Sequence, residues 1–298
     1  MKGVERERER QVACDGVSLH VVEQGAGSPL LVLHGFTGSS ASMAGVAAAL
    51  ADRHRVVRVD LLGHGRSDAP RELAAYAMAR CTAQLAGVLD ALAIPRAHLL
   101  GYSMGGRIAL ALAAFHPERV ASALLVGARG GFEDPAERAA RARDDERLAD
   151  QIERDGVPAF VERWMALPLF STQRRLGAEA LAAARAERLA NRADGLAASL
   201  RAIGAGAQPP LHALLSRLQL PVLLVVGAED ARFATVARDL ARRLPRARLA
   251  VVPDAGHAAH LENPRAFASI ARAFLAEADA AAPAQATQPT ITAKEHRA

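Results

Sequence analysis

Lysine is almost missing from this chain: Lys2 and Lys294 are the only two among 37 cationic residues. The formal net charge of +5 is therefore carried by arginine, and it is not gathered into a basic patch. From Arg129 to Arg201 thirteen arginines are matched by thirteen acidic residues, and elsewhere the two signs are interspersed. Aromatic residues make up only 4%, so the sequence offers no row of stacking platforms either. Together these absences argue against a nucleic-acid partner. Cysteine is scarce as well. Cys14 and Cys81 are too few for a disulfide framework and stand in no metal-ligand spacing. The longest apolar runs, "VASALLVGA" (120–128) and "PVLLVVGA" (221–228), fall well short of the ~20 residues that a membrane span needs. The opening "MKGVERERER" alternates charges without an apolar core, unlike a signal peptide or an acid-poor transit peptide. The expected location is a reducing cytoplasm.

What is present is a large apolar fraction, 51% of 298 residues, enough to bury a sizeable α/β core. Short apolar runs alternate with helical patterns. Strands are expected at 17–25, 29–36, 54–61, 97–103, 120–128, 221–230 and 247–257, with helices at 41–52, 76–92, 104–116, 232–244 and 264–278. The middle runs lack polar alternation, as strands buried on both faces should, which predicts a mostly parallel sheet flanked by helices. Residues 129–211 break the rhythm, with only helical patterns between two strands. They predict a helical lid inserted over the C-terminal edge of the sheet, dividing the core into 11–128 and 212–278. Residues 1–10 and the Ala-, Pro-, Gln- and Thr-rich 279–298 are expected to be disordered.

The chemistry begins at "LLGYSMGGRI", residues 99–108. A G-x-S-x-G match is common, but here the apolar strand ends at Ser103 and a helix begins at once. That is the setting of a nucleophile elbow, in which Gly101 and Gly105 keep side chains out of a sharp turn and the helix N-terminus favours negative charge. A serine hydroxyl needs a base, and the base needs an orienting carboxylate, in the chain order Ser, Asp, His. His257 in "PDAGHAAH" follows a strand at the same sheet edge. Asp230 ends "VVGAED", with Glu229 as the neighbouring candidate. The backbone NH groups of Phe36, after the strand ending "LVLHGF", and of Met104 are placed to form an oxyanion hole.

The set "HGF", "DLLGHGRSD", "GYSMGG", "GAED" and "AGH" resembles the α/β-hydrolase superfamily over roughly residues 11–278. A serine at 103 separates it from relatives that use aspartate there, while the fold alone leaves the substrate open. The inserted segment narrows the choice. "GFEDPAERAARARDDERLA", "FVERWMALPLFSTQ" and "RLANRADGLAASLRAIGAGAQPPL" resemble the lid of the 2-succinyl-6-hydroxy-2,4-cyclohexadiene-1-carboxylate (SHCHC) synthase family of menaquinone biosynthesis. Tyr102 before the nucleophile, "GGR" after it and "DARF" after the triad acid are similar too, with Arg232 where that family has lysine. The resemblance implies a carbon–oxygen lyase that eliminates pyruvate from a small tricarboxylate without a metal or organic cofactor. It also implies anion-binding roles for Arg141 and Arg188 and places for Tyr102 and Trp164 beside the substrate. Arg107, a turn into the elbow helix, fits either site support or a core salt bridge. The alternative is a serine hydrolase, a carboxylesterase or C–C bond hydrolase, using the same triad.

Overall fold

The computed structural model describes residues 7–281. Eight strands, β1 (Arg8–Cys14), β2 (Val17–Gln24), β3 (Ser28–Leu33), β4 (His54–Val59), β5 (Ala97–Tyr102), β6 (Val120–Val126), β7 (Val222–Gly227) and β8 (Ala247–Val252), form one sheet. Their order is β1-β2-β4-β3-β5-β6-β7-β8. Only β2 runs antiparallel to its neighbours; from β4 to β8 every pairing is parallel. The helices are α1 (Ala44–Leu50), α2 (Met78–Ala91), α3 (Met104–Phe115), α4 (Pro135–Met165), α5 (Ala178–Leu189), α6 (Ala193–Ile203), α7 (His212–Leu215), α8 (Ala231–Arg243), α9 (Ala259–Glu262) and α10 (Pro264–Ala281).

The central strands lack polar alternation because each of their faces is a core. Leu31 and Leu33, Leu99, Leu125 and Leu224 point to the side covered by α2, α3 and α8. Leu30 and Val32, Leu100, Leu124 and Val225 point to the side covered by α1 and α10, against Leu50, Phe267 and Phe274. Each buried leucine or phenylalanine is worth about 1.5–3 kcal/mol, so both faces must be filled for the sheet to hold. The crossovers also bring the C-terminal ends of β3, β5, β6 and β7 to one edge, where open α/β sheets bind ligands.

Two expectations for the ends of the core need correction. Residues 8–10, placed in a disordered start, belong to β1, which pairs with β2 from Arg8 to Cys14. Only Val12 of that strand is buried, so a charged edge strand left no apolar alternation to read. At the other end α10 continues through Ala281, and Asp279 accepts hydrogen bonds from Ser28 Oγ (3.0 Å) and from the ring of His98 (3.0 Å). The rest of the expected tail, 282–298, lies outside the described residues, as do residues 1–6 of the expected disordered start.

Between β6 and α7 the chain is helical. Asp134 caps α4 by accepting from the NH of Ala136 (2.6 Å) and Glu137 (3.3 Å), with Pro135 in the first turn. The helix is broken at Gly156 (φ 78°, ψ 165°), followed by Pro158. Both halves of α4 pack on α6 through Ile152, Phe160, Val161, Leu196 and Leu200. Helix α6 is in turn fixed to the core backbone to backbone. A Cβ on Gly63 would stand 2.6 Å from Gly195 O, and one on Gly195 only 2.3 Å from Gly63 O. Asn191 adds a bridge, donating to Thr37 O (2.8 Å) while accepting from the NH of Gly65 (3.0 Å).

Candidate active site

Ser103 sits between β5 and α3 with φ 51° and ψ −106°, a conformation that a serine adopts only when its surroundings impose it. Its NH donates to Val126 O at 2.8 Å, tying the turn to β6. The neighbouring glycines explain the rest. A Cβ on Gly101 would meet Gly105 O at 2.4 Å, and one on Gly105 would meet Leu33 O at 2.3 Å. The first turn of α3 is thereby pressed against the end of β3, and the serine is pushed out at the sheet edge.

The triad assembles there. His257 Nε2 lies 3.0 Å from Ser103 Oγ, and His257 Nδ1 lies 2.8 Å from Asp230 Oδ2. Asp230 is the N-cap of α8, where Oδ1 accepts from the NH of Phe233 at 3.1 Å. One oxygen is thus held by backbone while the other orients the histidine. The fold brings Asp230 and not Glu229 to His257, since Glu229 pairs with Arg175 at 2.7 Å. Asp230 and His257 are almost fully buried, whereas the serine is partly open.

Ser103 opens into a cavity of roughly 840 Å³, counting its mouth, under the lid. Phe36, Tyr102, Met104, Arg141, Trp164 and His257 all line it. Met104 is the first residue of α3, so its NH has no acceptor within the helix. The turn carrying Phe36 is set by His34. Its Nε2 accepts from the NH of Leu61 (3.0 Å), which leaves Nδ1–H to donate to Gly35 O (2.8 Å). Burial keeps this ring neutral by pushing its pKa down. An aromatic wall, with Trp164 5.4 Å from Phe36 and 5.6 Å from Phe170, roofs the site. Trp164 is the chain's single tryptophan, and its Nε1–H is buried without a partner among the described residues.

Arg188 does not join this group. It lines a separate cavity on the other side of Tyr102, with Glu187, Gln173 and His260, and donates to Ala184 O of its own helix at 2.7 Å. His260 packs against Tyr102, ring centroids 4.5 Å apart, and burial pushes its pKa down to about 4.

Three other arginines do line the catalytic cavity: Arg107, Arg129 and Arg232. Arg107 makes no core salt bridge among the described residues; its Nη1 donates to Ile203 O (2.9 Å) and Gln208 Oε1 (3.0 Å). Burial pushes its pKa down to about 10, against the upward pull of Asp145, with Arg141 and Arg129 adding to the lowering. Arg129 and Arg232 each follow the end of a central strand by a few residues, beside the triad loops. That placement at the C-terminal sheet edge was the sequence signal available for finding them. With Arg141 the wall holds four guanidinium groups, and no aspartate or glutamate is among its lining residues. The chemistry on offer is a serine–histidine base, or nucleophile, facing a strongly anion-attracting hole.

Residues 28–264 match the sequence model of the α/β hydrolase fold, and the chain belongs to that family. Within it the chain stands with the SHCHC synthases. It is 34% identical to the 2-succinyl-6-hydroxy-2,4-cyclohexadiene-1-carboxylate synthase of Enterobacter sp. (strain 638), over 82% of this chain and 92% of that protein. It is 40% identical, over 88% and 96% of the two chains, to a Bacillus subtilis protein that provisionally bears the same name. Among solved structures, MenH from S. aureus superposes with a TM-score of 0.82 at 26% identity, covering 92% of this chain and 99% of that one. A malate-bound thermophilic esterase from Thermogutta terrifontis gives 0.81 at 26% identity, covering 91% and 99%.

Proposed function

We propose that this protein is a SHCHC synthase, a lyase that eliminates pyruvate from 2-succinyl-5-enolpyruvyl-6-hydroxy-3-cyclohexene-1-carboxylate. The observation that carries the reading beyond the names of its relatives is the cavity wall, with four arginines and no aspartate or glutamate among its described lining residues. Such a wall suits a tricarboxylate and repays nothing to a neutral ester.

In this mechanism His257, oriented by Asp230, takes the Ser103 proton, and the serine oxygen removes the ring proton beside the succinyl ketone. The C–H electrons form an enolate whose oxygen is held by the NH groups of Phe36 and Met104. Those electrons then move through the ring and break the C–O bond to the enolpyruvyl group. The leaving enolate takes up a proton and becomes pyruvate. Both steps use groups of this chain, and Ser103 acts as a base, forming no stable acyl-enzyme. Tyr102 and Trp164 shape the space around the ring, and Arg141 holds a carboxylate from the lid. Cys14 and Cys81 are free thiols, in keeping with action in a reducing cytoplasm. No helix of the described residues is long and apolar enough to cross a membrane.

The test is pyruvate release from the intermediate, coupled to lactate dehydrogenase, beside hydrolysis of p-nitrophenyl acetate. Fast pyruvate release with slow ester hydrolysis is expected. The reverse pattern, or a covalent adduct with the natural substrate in the intact-protein mass spectrum, would establish a hydrolase instead.

A further inference from the structure

Among the cavity arginines withdrawn from solvent, Arg129 is the one that the fold has least use for; Arg232 is exposed. Arg107 is tied to Ile203 O and Gln208, and Arg141 to Asp145. Arg129 has no carboxylate partner among the described residues, and no hydrogen bond from its guanidinium is found there. Its Nε is buried and has no partner among the described residues. Its guanidinium carbon stands 3.6 Å from the centroid of the Phe132 ring, so the group is held by its contact with an aromatic face and not by ion pairing. Its main chain is fixed as well, since Arg129 O accepts from Gln208 Nε2 at 3.4 Å.

The charges around it make matters worse for stability. Burial, and then repulsion from Arg232 and Arg141, push its pKa down to about 10, while Glu137 pulls the other way. The group is still a cation at neutral pH. A half-buried cation among like charges destabilises a fold unless an anion arrives to neutralise it. Its position says where that anion would lie. Gly127, two residues earlier, is so close to the base that a Cβ there would stand 2.7 Å from His257 Cε1. Arg129 therefore reaches the cavity from the His257 side, away from the Phe36–Trp164 wall.

We propose that Arg129 is a specificity-determining residue that grips one carboxylate of the substrate from the His257 side of the cavity, while Arg107 and Arg141 face another from the lid side. The contact with Phe132 already holds the guanidinium in place, so little rotamer freedom is lost on binding. The inference rests on the elimination reading for the identity of the substrate, but the site it describes takes any small polycarboxylate of matching span.

The experiment compares wild type, Arg129→Met and Arg129→Lys. Methionine keeps an unbranched side chain over Phe132 without the charge, and lysine keeps the charge without the fork. Binding of tricarballylate is read from the fluorescence of Trp164, the single tryptophan, which lines the cavity. Catalysis is read as kcat and KM for pyruvate release, with p-nitrophenyl acetate as the neutral control. Arg129→Met should weaken tricarballylate binding and lower kcat/KM for elimination by ~30-fold or more, the range for truncating one member of a buried charge pair. The lysine variant should recover part of the loss, and ester hydrolysis should fall far less than elimination, since a neutral ester leaves this cation unused. Tricarballylate binding within threefold of wild type in Arg129→Met, or no binding to wild type at all, overturns the proposal. So does an equal loss on the neutral ester, which would mark a structural role. A wild type that binds tricarballylate through Arg129 but releases no pyruvate would sink the elimination reading and leave the anion site standing.

Discussion

Replacing Arg141 with alanine removes two interactions at once, and the structure separates them. Arg141 Nε donates to Asp145 Oδ1 at 2.7 Å, and the Asp145 side chain is 3% exposed. The other oxygen of Asp145 accepts from the NH of Gly206 at 3.0 Å, which fixes the turn after α6. Truncation strands a buried carboxylate on a single backbone donor. Stranding a fully buried charge costs ~3–5 kcal/mol, but the Arg141 side chain is 36% exposed and solvent screens the pair, so about 1–2 kcal/mol is expected here. At ~2–4 °C per kcal/mol for a chain of this size, Tm should fall by roughly 2–8 °C. The activity loss is larger. If Arg141 also grips a substrate carboxylate, the transition state loses ~3–5 kcal/mol, or roughly 150- to 4000-fold in kcat/KM. A second substitution isolates the two effects. Asp145→Asn on the Arg141→Ala background removes the stranded charge, so Tm should recover while pyruvate release stays low. Arg141→Lys should regain part of the rate, because an ammonium cannot grip at two points. Arg138→Ala, on the same helix but outside the cavity wall, should cost little. The measurement is kcat/KM on the pathway intermediate and on p-nitrophenyl acetate, with Tm for each variant. If pyruvate release returns together with Tm in the double variant, or if both substrates lose equally, Arg141 acts only by holding Asp145 and the turn at Gly206.

Ser103→Ala should lower pyruvate release by about three orders of magnitude or more, and retention of a tenth of wild-type rate would make the serine a spectator. Asp230→Asn should be milder than Ser103→Ala, since an asparagine oxygen can still accept from the NH of Phe233 and keep α8 capped; equal losses would contradict that division of labour. Gly105→Ala places a Cβ 2.3 Å from Leu33 O and 2.6 Å from His34 O, so it should be inactive and strongly destabilised, and a soluble active variant would refute the elbow packing. Acid stability should follow the buried histidines, whose folded pKa values, about 3 for His64 and about 4 for His260, lie below the usual 6.5. Below pH 6.5 the unfolded chain binds protons that the folded chain refuses, so stability falls as pH drops from 6.5 toward 4. Tm measured across that window should fall less steeply in His260→Phe than in wild type, and an unchanged slope would show that His260 is not held neutral by the fold.

The triad was legible because strand ends, glycines and chain order constrain it from several directions at once. Asp230 could be preferred to Glu229 on position alone, and in the fold it is Asp230 that lies 2.8 Å from His257. Other features were hidden for physical reasons. Strand β1 pairs through its backbone while its side chains stay charged and wet, so its sequence carries no burial signal. Arg188 illustrates a different limit. Its anion-binding role was implied by the family resemblance alone, and the fold turns its stretch of α5 toward α1 and α9, on the other side of Tyr102. Arg107 was ambiguous because one turn of α3 points equally at core and cavity; the fold gives it both, a buried stem and a charged end at the wall. The link from Arg141 to Asp145 fits the i,i+4 rule, but only burial shows that the partner is costly to strand.

The contact between Gly63 and Gly195 has a consequence for how substrate enters. Two peptide backbones in van der Waals contact cannot slide without breaking the Asn191 bridge beside them, so α6 is held to the sheet, and with it the second half of α4 that packs on it through Phe160 and Val161. What departs from that packing is the run of turns around residues 166–177. Phe170 lies in those turns, whereas Arg141 and Trp164 lie on the packed helix before them. Any movement that admits substrate would therefore fall on the turns. A polyanion would pass them and meet cations on a frame that has not had to be rearranged.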